Sequence, residues 1–178
     1  MYYWGWIRNL AARARAVPPT ALWAEAQRAV EARFTLPGPL RRSLAVRHVD
    51  GGSCNGCESE LSLLPSPVYD FSRFGFVFTP SPRHADVLVV TGVITPALAP
   101  VIARVYGEMP GPKAVVAAGD CALGRGELGE AGWERLETLA PVAVRVAGCP
   151  PSPDALLAAL LAVAGRLGEP DGSGGDGE

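Results

Sequence analysis

The sequence predicts an α/β domain with a doubly wound parallel sheet, and three observations predict it. First, short β-like runs alternate with helical stretches from residue 44 to residue 167, which implies right-handed crossovers between strands of one sheet. Second, runs such as Val87-Leu88-Val89-Val90 and Ala114-Val115-Val116 are apolar on both sides. That suits parallel strands covered by helices on both faces. Third, all four cysteines fall just past the ends of expected strands, each with a glycine within two residues. The C-terminal edge of such a sheet is where ligands bind.

The elements follow in order. Residues 1–17 begin with Tyr2, Tyr3, Trp4, Trp6 and Ile7, followed by Arg8, Arg13 and Arg15. Aromatics with a polar handle suit places that are apolar on one side and wet on the other. The segment either folds back on its own domain or docks on a partner or membrane surface, and it is too short and charged to cross one. Thr20, after Pro18-Pro19, is a candidate N-cap for a helix from Ala21 to about Arg33. Leu22, Ala26, Ala29, Val30 and Phe34 share one face of it. Leu36-Pro37-Gly38-Pro39 closes a helical extension spanning 1–43. The α/β domain is expected over 44–167, with strands at 44–49, 74–79, 86–92, 113–118 and 141–147 and helices at 58–64, 96–106, 130–139 and 153–167. Residues 168–178, glycine-rich and acidic, read as a disordered tail.

With 178 residues, 48 % of them apolar and 19 % charged, the chain supports one globular domain with a sizeable core. A net charge of −2 argues against a nucleic-acid surface. No apolar run is long enough to span a bilayer, and no secretory signal pattern opens the chain. The expected location is therefore cytosolic and reducing, where four cysteines are ligands sooner than disulfides.

Cys54-Asn55-Gly56-Cys57 puts two thiols on one glycine-rich turn; Cys121 follows after 63 residues and Cys149 after 27 more. Parallel strands bring such distant positions to one sheet edge. Gly51, Gly52, Gly56, Gly119 and Gly148 accompany them, as expected where the backbone must approach an inorganic core. Pro150 follows the last thiol, as in ferredoxin-type motifs. Three readings compete for this set: a [4Fe–4S] cubane on four thiolates, a structural zinc ion, and cysteines without a metal, including a redox disulfide at the first pair. Zinc sites usually show two closely spaced pairs, and only one is present here. His48 and His84 suit packing or solvation better than ligation. Gly119 to Gly126 forms neither a dinucleotide fingerprint nor a Walker loop. No nucleophile–base pair stands out, so the chain alone is expected to catalyse nothing.

These residues match a known pattern. The stretch from about Leu44 to Leu167 resembles the cluster-bearing subunit shared by complex I (the B-type subunit of NADH–quinone oxidoreductase) and the small subunits of membrane-bound, complex-I-related NiFe hydrogenases. The resemblance is carried by Gly52-Ser53-Cys54-Asn55-Gly56-Cys57-Glu58, Phe74-Gly75-Phe76 and the run from Pro80 to Gly92. It continues in Tyr106-Gly107-Glu108-Met109-Pro110, Gly119-Asp120-Cys121-Ala122 and Gly148-Cys149-Pro150-Pro151. It implies a flavodoxin-like fold holding one [4Fe–4S] cluster through Cys54, Cys57, Cys121 and Cys149, with electrons relayed to or from the active site of a larger partner subunit. It further implies a ferredoxin-like iron–sulfur subunit and membrane subunits as partners, the latter reached through residues 1–17, and a peripheral place on the cytoplasmic side of the membrane. Two residues between the first cysteines look like the hydrogenase branch, since complex I members typically carry adjacent cysteines there. The alternative is the complex I subunit delivering electrons to quinone. From another class, a zinc-stabilised scaffold remains. Glu58, beside a ligand, and Arg83 are candidates for tuning the centre or contacting a partner. The loop Ala122-Leu123-Gly124-Arg125-Gly126-Glu127 departs from the family's run of small residues and glycines followed by aromatics.

Overall fold

The computed structural model describes residues 19–37, 43–126 and 134–166. Six strands form one sheet: β1 (Val30–Ala32), β2 (Leu44–Asp50), β3 (Phe76–Phe78), β4 (Val87–Thr91), β5 (Ala114–Ala118) and β6 (Val142–Val146). Their spatial order is β1-β6-β5-β4-β2-β3. All neighbours from β3 to β6 pair in parallel, whereas β1 pairs antiparallel with β6. Numbered alone, the parallel strands run 2-1-3-4-5, the flavodoxin-like order, with its switch point between β2 and β4. The expected doubly wound architecture is what the chain adopts.

Every expected strand is present, and the differences have local causes. β3 is shorter than 74–79 because Phe71–Phe74 wind into a 3₁₀ turn and Gly75, at φ 85°, redirects the chain. The first helix, α1, covers Pro19–Arg28 and not 21–33, so Thr20 lies inside its first turn rather than capping it. Beyond Ala29 the chain leaves the helix: Val30 and Ala32 pair with Val146 and Val144 on the edge of β6. Val30 is β-branched and fits a strand, and Phe34 is left exposed. This edge strand was not expected from the local pattern. α2 spans Gly56–Ser62, which places Cys57 and Glu58 in its first turn. α3 spans Ala99–Glu108, entered through a turn at Thr95 whose hydroxyl accepts from Leu98 N–H.

The helix expected over 130–139 is reduced, within the described residues, to α4, Leu136–Leu139. Glu134 instead forms an antiparallel bridge with Ile94. α5, Pro153–Val163, starts at a Ser152 cap that accepts from Ala155 N–H at 3.3 Å and stops where Gly165 takes φ 68°. The segments 1–18, 38–42, 127–133 and 167–178, with the expected arm and tail, lie outside the described residues.

The core has two layers. On one face α5, α1 and α2 cover Leu44, Val46, Val87, Val89, Val116 and Val144. On the other, Ile102, Ala99 and Leu136 cover Leu88, Val90, Val115 and Val142. Residues before the α/β domain belong to the first layer: Ala26 and Leu36 are buried in it, and Leu36 N–H donates to Val163 O at 2.9 Å.

Candidate metal centre

The cysteines reach one place because the loop after β2 crosses the end of β4. Gly51 N–H donates to Thr91 O at 2.9 Å, and Val93 N–H to Gly52 O at 3.0 Å. The crossing requires bare backbone. A Cβ on Gly92, at φ 74°, would lie 2.7 Å from the carbonyl of Gly52. Past the crossing, Asn55 takes φ 69° and opens α2, so Cys57 rides on the first helical turn. The loops after β5 and β6 are laced together. Asp120 N–H donates to Gly148 O at 2.9 Å, and Gly148 N–H donates back to the Asp120 carboxylate at 3.0 Å. Gly119 stands between them at φ 92°, and a Cβ there would sit 2.6 Å from Cys57 Sγ.

The outcome is one pocket of about 130 Å³ lined by Cys54, Cys57, Cys121 and Cys149 with Ser53, Gly56, Gly92, Asp120, Gly148 and Pro150. Cys54 and Cys149 are exposed, Cys57 and Cys121 half-buried, and no disulfide joins them. Among the described residues, no three Cys, His, Asp or Glu side chains are grouped so as to hold a single metal ion. One tetrahedral ion at a metal–sulfur distance of about 2.3 Å would need its sulfurs about 3.8 Å apart. The four thiols share one small cavity, reached from three separate loops.

The Cys57 thiol is costly to ionise without a cation. Burial pushes Cys57 up to about 12, helped by the negative charge of Glu58 and by Cys121, Cys54 and Cys149. A positive core is what would reverse that.

Glu58 is largely buried, its side chain 16 % exposed. Thr91 Oγ1 donates a short hydrogen bond to Glu58 Oε1 and accepts one from His48 Nε2 at 2.8 Å. Burial works against the Glu58 charge, but hydroxyls of Thr91 and Ser53, its own backbone N–H and nearby His48 outweigh it, so the carboxyl titrates below its ordinary range. Burial holds His48 below its ordinary value despite Glu58 and Asp50. Thr91, fully buried, was missed by sequence reasoning. Its signal is there in hindsight, a lone hydroxyl closing a valine-rich strand at the ligand-binding edge. On the other side of Glu58 an open groove of about 440 Å³ is lined by Arg47, His48, Leu61, Ser62, Phe78, Thr79 and Pro80. Arg47 Nε and Glu58 Oε2 are buried there without a partner among the described residues.

Arg83 is not in this constellation. It is exposed on the 3₁₀ turn Pro82–His84, which precedes β4 and so lies at the sheet rim opposite the cysteines.

Known proteins resemble this chain. The chain is 46 % identical over 85 residues to the probable membrane-bound hydrogenase subunit mbhJ of Pyrococcus furiosus, covering 48 % of this chain and 51 % of that one. It is 44 % identical over 82 residues to formate hydrogenlyase subunit 7 of Escherichia coli, covering 46 % and 32 %. It is 48 % identical over 71 residues to the B-type subunit of the NADH-quinone oxidoreductase of Carboxydothermus hydrogenoformans, covering 39 % and 43 %. The chain thus spans about half or less of the length of these curated relatives. Among solved structures, a chain of the membrane-bound sulfane sulfur reductase, an archaeal respiratory membrane complex, superposes with a TM-score of 0.62 at 33 % identity, covering 75 % of this chain and 76 % of that one. A chain of an NAD+-reducing [NiFe]-hydrogenase shares the fold at TM-score 0.51 and 16 % identity, covering 73 % and 95 %. The profile described as NADH ubiquinone oxidoreductase, 20 Kd subunit, matches residues 54–163, the stretch that contains every cysteine, and the chain belongs to that family.

Proposed function

We propose that the chain is the electron-transfer subunit of a membrane-bound, complex-I-related NiFe hydrogenase, carrying one [4Fe–4S] cluster on Cys54, Cys57, Cys121 and Cys149. The observation that carries this reading is the convergence of all four cysteines on one small pocket from three separate loops. Bound there, a cubane supplies a one-electron redox centre whose potential depends on net charge, hydrogen bonds and solvent exposure. The chain's own residues set those conditions. Gly92 lets the first loop cross, and Gly119 leaves the space beside Cys57. Asp120 and Gly148 hold the last two ligand loops at a fixed spacing. Glu58 keeps a negative charge next to Cys57, held in place by Thr91.

The exposed Cys54 and Cys149 suit a rim covered by a larger subunit that holds the terminal active site. Residues 1–17 are assigned to membrane subunits, Arg83 to a partner contact on the opposite rim, and a ferredoxin-like subunit to the electron supply. The hydrogenase assignment rests on Asn55 and Gly56 standing between the first two cysteines. The alternative, a B-type subunit serving quinone, is favoured by the family profile and by the Carboxydothermus relative. The partner decides: a large subunit with two C-x-x-C pairs holds NiFe, and one without them does not.

Iron and sulfide content together with the reduced-state EPR spectrum test the cluster. Cys121→Ser is expected to abolish the cubane signal and electron flow with no zinc released. Wild-type iron content in that variant, or stoichiometric zinc in the parent, would overturn the assignment.

A further inference from the structure

We propose that a small oxyanion of the phosphate type binds in a second pocket, walled by Arg28, Arg125 and Arg145. The pocket is about 230 Å³ and shares no residue with the cysteine pocket. Three segments distant in sequence build it: the last turn of α1 with the start of β1, the loop that follows Cys121, and the end of β6. Arg145 anchors it. Its side chain is 13 % exposed, and its Nη2 donates to Glu137 at 2.6 Å, which fixes the guanidinium plane while using one edge of its fork. Arg28 and Arg125 are exposed at the mouth, and neither lies within ion-pairing distance of a carboxylate among the described residues.

Glu31, opposite Arg145 in the ladder, is the acid among the lining residues, against three arginines. Guanidinium forks match the oxygens of a phosphate in pairs, so three arginines lining one space of this size favour that ligand chemistry. Arg28 and Glu31 lie outside the stretch matched by the family profile, and Arg125 lies in the loop that departs from the family pattern. The pocket thus joins residues inside the family stretch, Arg125 and Arg145, to residues before it. The inference goes beyond the electron-transfer reading and stands whether or not iron is bound.

Titration calorimetry of the full chain with inorganic phosphate, in a chloride buffer of low ionic strength, tests it. Saturable one-to-one binding is expected. The double variant Arg28→Gln/Arg125→Gln is expected to weaken it about tenfold or more. Arg104→Gln, on α3 and paired with Glu108, serves as the neutral control. Iron content of the double variant is expected to match the parent, which separates this test from that of the cluster. Vesicles containing phosphatidylglycerol that compete phosphate off would identify a lipid headgroup as the source, and phosphate retained against them a free oxyanion. No saturable binding by a chain with native circular dichroism, or equal binding by the double variant, overturns the proposal.

Discussion

Helix α5 and the cysteine rim adjoin each other, with Pro153 opening the helix four positions after Cys149, yet they use space in opposite ways. α5 is buried from Ala155 to Val163, its leucines and alanines filling the layer between the sheet and α1. At the rim, glycines keep volume empty: a Cβ on Gly92 or Gly119 would run into the neighbouring loop or a thiol. In the first region a side chain too small is the danger. In the second, a side chain of any size is. Stability and site chemistry are therefore separable by mutation, even across so short a distance.

The largest effect should come from Leu161→Ala, which leaves a cavity in a fully buried position. Destabilisation of about 2–5 kcal/mol is expected in chemical denaturation, with unchanged reactivity of the four thiols in the protein that remains folded. Altered thiol reactivity would show that the two regions are mechanically coupled. Gly119→Ala should cost about 1–3 kcal/mol, because alanine is strained at φ 92° and its Cβ meets Cys57 Sγ. Unlike the helix variant, it should also hold less iron per folded molecule. Wild-type iron loading would show that the space beside Cys57 is unnecessary.

A third test concerns the iron-free chain. Thiolate is the reactive form, and Cys57 is pushed up to about 12. Its alkylation at neutral pH should therefore be the slowest of the four, at least about tenfold behind the exposed Cys54 and Cys149. Equal rates, resolved by peptide mass spectrometry, would refute the crowded-thiol picture.

The smallest effect is the acid dependence. Glu58 titrates below its ordinary 4.5 in the folded chain, so its contribution is present above that value and is lost as pH falls through it. His48 is held below its ordinary 6.5, so the folded state also loses ground as pH drops below 6.5, where the unfolded chain takes up the proton first. Thr91→Val removes the hydroxyl that favours ionised Glu58 and should flatten the acid limb of the stability curve by a few tenths of a kcal/mol. An unaltered limb in urea titrations at several pH values would remove Thr91 from the account.

What the sequence disclosed divides along the same line. Val87 to Val90 and Ala114 to Val116 were legible because a strand buried on both faces has to be apolar throughout. The cysteines were legible because their positions after strands survive any uncertainty in register. The crossing at Gly92 was not, since its need for bare backbone exists only once Gly52 lies against it. Nor was β1, where pairing with a strand more than a hundred residues away overrides the helical pattern through Val30. The arginine pocket was invisible for the same reason, each of its cations reading alone as an ordinary surface residue.

The antiparallel strand β1 bears on how the protein should be handled at the bench. A clone trimmed to residue 43, just ahead of β2, would strip the cover from Val144 and Val146 and lose Leu36 from its seat against Val163. The newly bared hydrogen-bonding flank would invite association with other copies, and insolubility of such a fragment would then report on the missing strand rather than on the redox cofactor.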